Sequence, residues 1–286
     1  MSVRLFGSRD PDDPSIGRLD AAAARHLRAR RIAPGDAVVL VLGPEDERDA
    51  TVLRIESGGA TCRLGATRPA SGADPVRPTR LCVGLADLAR LDLVVEKATE
   101  LGASAITVFR ARRSQLASVP AARLERWRRI ALSACEQCGR TAPPSIEVVD
   151  GVQEVADLVA SAALAVVFVA PRENAAGGPG TAAPAEVTVG APGRAGVPAE
   201  SEAPSPAAAR GGATGARSER EPLVLVVGPE GGLDAQEIDA LLAAGAHVGS
   251  LGPRVLRFET AAIAALARHA GPVDDRPTGV PGGALE

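Results

Sequence analysis

The sequence predicts an α/β protein: a small β-rich module, followed by a larger unit in which helices alternate with the strands of a mostly parallel sheet. Three observations carry this. Residues 1–68 hold short β-type runs with a single helical stretch. From residue 79 onward strand and helix patterns alternate. Between the two, "ASGADPVRP" at 70–78 has the Gly, Pro and Ala content of a linker. At 286 residues the chain is long enough for two domains, each burying its own core.

In the first module the runs "VRLFG", "DAVVLVL", "RDATVLRIE" and "ATCRLGA" read as strands, and "DAAAARHLRARR" reads as a helix that ends before "APGD". So many short strands around one helix predict a small barrel over 1–70. After "TRLCVGLA", the order is helix "DLVVEKATELG", strand "AITVF", helix "AARLERWRRIALSACEQCGR", strand "SIEVV", helix "VQEVADLVASA" and strand "LAVVFVA". Such alternation implies parallel strands covered by helices on both faces. Residues 174–220 are Ala, Gly, Pro and Ser without apolar periodicity and cannot bury enough apolar surface to offset their ordering entropy. The strand "PLVLVVG" follows at once, so 174–220 reads as a disordered insertion inside a second domain spanning 77–272, with 273–286 a tail.

Composition narrows the function. The net charge of −3 conceals an asymmetry, because residues 1–140 carry 23 Lys+Arg against 17 Asp+Glu and the remainder carries 9 against 18. A basic front half suits either a polyanionic partner or a solvated arginine-rich face. No apolar run reaches the ~18 residues of a membrane span, and "MSVRLFGSRDPDD" lacks a signal-peptide core, so the expectation is a cytoplasmic protein without a membrane partner. Of the four cysteines only Cys135 and Cys138 are closely spaced, within a helical pattern. That spacing predicts ordinary packing and no metal site.

The most informative stretch is "LVVGPEGGLDAQEIDALLAAG" at 223–243, a buried strand that becomes an amphipathic helix through a turn rich in glycine. Asp234 and Glu237 have the spacing of a capping box, so the helix starts near 233–235. Glycines at such a turn let a ligand approach backbone N–H groups, and parallel sheets bind ligands at the C-terminal ends of their strands. The spacing is neither a dinucleotide nor a Walker pattern, and Glu230 places negative charge where phosphates would sit. A cationic or neutral ligand is expected. About twenty residues later a second turn, "LGPRVLRFETAAIAALARHA", follows the strand-like "AHVGSL", with a helix expected from Glu259 or Thr260. The two turns are expected to end consecutive strands on one side and line one pocket, with Arg254, Arg257 and Glu259 buried among apolar residues.

"VGPEGGLDAQEI" followed by "LGPRVLRFETAAIAAL" closely resembles the C-terminal signature of the ribosomal RNA small-subunit methyltransferase E family, which belongs to the SPOUT methyltransferases. Upstream, "VVEKATELGASAI", "ARRSQ" and "ERWRRIALSACEQCGRTAPPSIE" are similar to further family segments. "RLF" and "ARHLRARRIAPGD" resemble its PUA-like RNA-binding barrel. The resemblance spans nearly the whole chain outside 174–220. This sequence departs from the pattern at Phe258, where a small residue is usual, and at Arg112, where an acid is usual.

What the resemblance implies is an α/β fold with a C-terminal SPOUT trefoil-knot domain and an N-terminal PUA-like barrel, forming a homodimer. It implies S-adenosylmethionine as cofactor and methylation of a uridine N3 in 16S rRNA, free or in the assembled small subunit. Cofactor contacts fall on Val227, Gly228, Pro229, Glu230, Gly231 and Gly232 of the first turn and on Leu251, Gly252, Arg254, Val255 and Leu256 of the second. Arg140, Arg257 and Glu259 are the catalytic candidates, an arginine being suited to uracil oxygens that gain charge as N3 loses its proton. RNA contacts fall on Arg4, His26, Arg28, Arg30, Arg31 and Arg113. Two other outcomes stay open at this point, ribose 2′-O methylation and an inactive RNA-binding assembly factor of the same fold.

Overall fold

The computed structural model describes residues 3–44, 46–69, 73–75, 77–171 and 222–269. The insertion expected at 174–220 and the tail at 273–286 fall outside the described residues.

The first unit contains β1 (Val3–Phe6), β2 (Ser8–Arg9), β3 (Ile16–Leu19), α1 (Ala21–Ala29), β4 (Ala37–Gly43), β5 (Asp46–Glu56) and β6 (Gly59–Thr67). Its sheet runs β1-β4-β5-β6-β3-β2. Strands β1 and β2 are separated only by Gly7 yet stand at opposite edges, so one short segment touches both edges and curls the sheet into a half-barrel, in keeping with the expected barrel. Gly7 is the corner: its N–H donates to Val41 O at 3.0 Å, and a Cβ there would lie 2.7 Å from Arg18 O. Helix α1, capped by Asp20 accepting from Ala23 N, drops Ala24 and Leu27 into a core shared with Leu5, Leu40 and Val52.

The second unit contains β7 (Thr79–Gly84), α2 (Leu88–Glu100), β8 (Ala105–Phe109), α3 (Ala121–Cys138), β9 (Ser145–Val149), α4 (Val152–Ala160), β10 (Leu164–Phe168), β11 (Leu223–Val227), α5 (Ala235–Ala243), β12 (His247–Gly249) and α6 (Phe258–His269). Every strand pair is parallel and the order is β12-β10-β11-β7-β8-β9. Strand β11 shows why the sequence reads as an unbroken apolar run: Leu223, Leu225 and Val227 face the layer that includes α2, α3 and α6, while Val224 and Val226 face α4 and α5. Helices cover both faces, as expected. The order corrects one expectation, since β10 lies between β11 and β12 and the two glycine turns do not end neighbouring strands. The knot implied by the resemblance depends on the path of 172–221, which is outside the described residues.

The two units meet along a polar seam. Arg4 Nη2 donates to Glu47 Oε2 at 2.7 Å, and Arg4 Nη1 reaches the Cys135 carbonyl near the end of α3 at 3.5 Å. Glu136 accepts from Phe6 N at 3.3 Å and faces His26 Nδ1 at 3.8 Å. Asp74, between the units, accepts from the Thr141 and Ala142 N–H groups. Burial pushes the Glu136 carboxyl above its ordinary range and Asp20 adds to this, against the Phe6 N–H and Arg4. A carboxyl with a raised folded pKa holds its proton more tightly when native, so ionised Glu136 opposes folding at neutral pH, and that opposition fades as pH falls through the folded pKa. Glu136→Gln, which keeps an acceptor for Phe6 N, is expected to raise the melting temperature at pH 7, with the gain vanishing in acid. A gain that persists unchanged in acid would show the seam carboxyl is not the cause.

Candidate functional site

The C-terminal ends of β10, β11 and β12 open into a cleft of ≈ 340 Å³. That size falls in the range of about 300–1,000 Å³ typical of small-molecule sites. All eleven residues expected to hold a cofactor line it. So do Phe168, the last residue of β10, and Val169–Pro171 after it, which sequence reasoning missed because it did not place β10 between the other two strands.

The first turn is built by its own packing. Pro229 lies over Gly84 of β7, where a Cβ would come 2.3 Å from the proline Cδ. Gly232 N–H donates to Pro229 O at 2.8 Å, and Gly232 adopts φ +72°, a region that favours glycine. A side chain on Gly228 would meet Gly232 C and Leu233 N at 3.0 Å. These glycines are therefore required by the turn itself, before any ligand is considered. Asp234 and Glu237 form the expected capping box. Glu237 is only 3% exposed. Its second oxygen accepts from Arg112 N at 2.8 Å, tying the loop after β8 to the turn, and Arg113 Nη1 donates to Gly231 O at 3.0 Å. Arg112, where the family pattern has an acid, pairs with Asp234 at 3.1 Å.

The second turn carries Gly252 at φ +98°. Helix α6 opens at Phe258, slightly earlier than expected, and its Ala261 N–H bonds to Arg257 O at 2.9 Å. Phe258 is buried against the sheet and forms part of the cleft wall. The expected burial of Arg254 and Arg257 is corrected: both are exposed on the cleft lining, and neither side chain has a hydrogen bond or ion pair among the described residues. Val255 is 65% exposed beside them.

One carboxylate, Glu230, is on the lining with Arg90, and a second, Glu259, lies just behind Phe258. Glu230 Oε1 accepts from Asp87 N at 3.2 Å and lies 3.9 Å from Arg90 Nε. Glu259 Oε2 accepts from Arg90 Nη1 at 3.3 Å. Arg90, on the first turn of α2, went unnoticed in the sequence. The only local hint was the helix cap Asp87, which accepts from Ala89 N and Arg90 N.

Arg140 is not in the cleft. It is 2% exposed, and its Nη1 donates to Thr99 O at 2.7 Å and Ala103 O at 2.9 Å, carbonyls left over where α2 ends. Its Nε lies 3.6 Å from Asp74. The catalytic expectation for Arg140 is replaced by a bracing role. Arg4, 10% exposed at the side chain, is likewise taken up by the seam, and His26 is half-buried against Glu136. Arg28, Arg30 and Arg31 are exposed at the end of α1, and Arg113 is exposed beside the first turn. The buried thiols are pushed up by burial, Cys62 to about 11 and Cys82 and Cys135 to about 12, as packing residues should be.

Residues 73–186 and 199–270 match a family described as RNA methyltransferase domain. A Mycobacterium tuberculosis protein named ribosomal RNA small subunit methyltransferase E is 34% identical over 262 residues, covering 90% of this chain and 86% of the relative. A Bacillus subtilis protein of the same name is 31% identical over 180 residues, 62% of this chain and 59% of the relative. Among solved structures, a Neisseria gonorrhoeae ribosomal RNA small subunit methyltransferase E bound to S-adenosyl methionine gives a TM-score of 0.71. It has 23% identity and covers 93% of this chain and 96% of that one.

Arg140→Ala is expected to destabilise the fold by about 2–4 kcal/mol, because two buried carbonyls lose their donor. Chemical denaturation measures this. An unchanged midpoint would remove the bracing role.

Proposed function

Because the chain belongs to the ribosomal RNA small subunit methyltransferase E family, we propose that it transfers a methyl group from S-adenosylmethionine to N3 of a uridine in 16S rRNA. The observation that carries this reading is the convergence of both glycine turns on one cleft at the strand ends. Its chemistry suits the cofactor. Glu230 on the lining suits the amine or a hydroxyl, the exposed arginines Arg254 and Arg257 suit the carboxylate, the apolar wall of Leu251, Leu256, Phe258 and Ala261 suits a flat base, and the turns bring backbone polar groups to the lining. When bound, S-adenosylmethionine supplies an already activated methyl group.

The chain's own residues handle the acceptor. Uridine N3 is a weak acid whose conjugate base spreads charge onto O2 and O4. Arg257 lines the cleft with a guanidinium that has no partner among the described residues and can donate to such an oxygen as that charge develops. Arg254 offers a second free donor on the same segment, suited to the cofactor carboxylate. Glu230 orients hydroxyl or amine groups of the cofactor, with Glu259 beside the cleft holding Arg90. Arg28, Arg30 and Arg31 on the barrel, with Arg113 beside the first turn, meet backbone phosphates, which position RNA without reading its sequence. The barrel of 1–70 thus supplies RNA affinity and 77–272 the chemistry. The active species is a homodimer acting in the cytoplasm on 16S rRNA or the small subunit. No helix of the described residues is long and apolar enough to cross a membrane.

Mass spectrometry of small-subunit rRNA nucleosides from a strain lacking the gene is expected to show loss of 3-methyluridine. Loss of a ribose-methylated nucleoside instead would overturn the acceptor assignment. Two variants separate cofactor from substrate. Gly232→Val is expected to abolish thermal stabilisation by S-adenosylmethionine while the far-UV spectrum stays native, with about 1–2 kcal/mol lost to the left-handed backbone. Arg257→Ala is expected to bind cofactor normally and lose on the order of 100-fold in transfer rate, the typical effect of one preorganised donor. Calorimetry on both proteins checks the pair, and normal cofactor binding by Gly232→Val would remove the first turn from the site.

A further inference from the structure

Arg90 and Glu230 line the cleft, and a second carboxylate, Glu259, lies beside it; the two acids come from different places in the chain. Glu230 is in the first turn, after β11, and Glu259 is in the opening turn of α6, which leaves the second. Arg90 belongs to neither. It projects from the first turn of α2, the helix that follows β7, and one guanidinium reaches both: Nη1 to Glu259 at 3.3 Å and Nε to Glu230 at 3.9 Å. The backbone N–H of Asp87, the cap of that helix, adds a hydrogen bond to Glu230 at 3.2 Å. Helix α2 itself is held rigidly, with Leu91, Val94, Val95 and Ala98 all buried in the core that also contains Phe258, Ala262 and Ala265 of α6. A fixed helix therefore presents a planar fork to one acid from each turn. A lysine at this position would offer a compact charge without the fork. Without any cation there, two like charges gathered around one guanidinium would repel.

We propose that Arg90 is a positioning residue that sets the separation of the two glycine turns, and through it the affinity for the cofactor, without touching RNA. This rests on the cleft being the S-adenosylmethionine site. It reaches beyond that reading by assigning cofactor affinity to a residue on a helix that contributes no glycine turn.

The test uses the full-length protein and its Arg90→Gln and Arg90→Lys variants, with S-adenosylmethionine titrated by calorimetry. Arg90→Gln is expected to bind about 10- to 100-fold more weakly, the usual loss when the group that orients a ligating residue is removed. Arg90→Lys should recover part of that affinity. The KM for rRNA should not move. The side chain of Arg90 is 40% exposed, so the melting temperature without cofactor should change by no more than about 3 °C. Backbone amides of 251–257 should exchange hydrogen faster in Arg90→Gln than in the parent protein. Unchanged cofactor affinity in Arg90→Gln overturns the proposal. So does a raised KM for rRNA with cofactor affinity intact, which makes Arg90 a substrate contact. A large drop in melting temperature that Arg90→Lys does not relieve also overturns it, by reducing Arg90 to a fold contact. If the parent protein fails to bind S-adenosylmethionine, the site assignment itself is wrong and this inference goes with it.

Discussion

The seating of Pro229 on Gly84 is the contact from which the site follows. Neighbouring parallel strands leave little room at their ends, and here a proline ring occupies the space where the last residue of β7 would carry a Cβ. That contact fixes where the chain turns after β11. It thereby fixes the direction of the Gly232 backbone, the start of α5 at its capping box, and the position of Glu230 beside the first turn of α2. A larger residue at 84 would displace all of these together, since interiors are packed too densely to absorb such a shift locally.

Desolvation sorts the arginines into two kinds. Those drawn into the interior need partners for their charge, because an unpaired buried cation is far too costly. Arg4 and Arg140 find them through their terminal nitrogens, in carbonyls and a carboxylate, while the Nε of each is buried without a hydrogen bond among the described residues; both serve as staples, one across the seam and one at the end of α2. Those left in solvent keep their donors available. Arg254 and Arg257 line the cleft in this state, so the same residue type supplies both the framework and the chemistry.

Local pattern in the sequence was enough to find both glycine turns, the capping box, four of the six strands of the first unit and the strand–helix alternation, since each of these is decided by residues close together in the chain; the short β2 and β3 carry too little pattern to be read. What it did not disclose was set by long-range approach. Nothing near Gly84 says that a proline from residue 229 will lie over it. Nothing near Arg90 says that acids at 230 and 259 will converge there, and the place of β10 between β11 and β12 is a property of the sheet as a whole. Arg140 misled for the same reason. Its neighbours resembled a functional segment, but its partners, Thr99 O and Ala103 O, lie in another helix and the loop after it. Phe258 shows the converse, an unusual residue whose burial in the core makes it part of the cleft wall.

The position of β11 has a consequence for how the molecule comes into being. Strands β7, β8 and β9 join one another in chain order, while β10 is separated from them by the gap that β11 fills. During synthesis the sheet therefore waits in two pieces, each with an open parallel edge, until the segment 223–227 emerges and pairs with 79–83 on one side and 164–168 on the other. Pairing across so much chain is slow because loop closure must come first, and open edges invite association with other chains in the meantime. The strand that ends this vulnerable interval also carries the first glycine turn at its tip. Joining of the two pieces and formation of the first half of the cleft are thus one kinetic event, which β12 and the second turn then complete, and a chain halted before residue 223 would have neither.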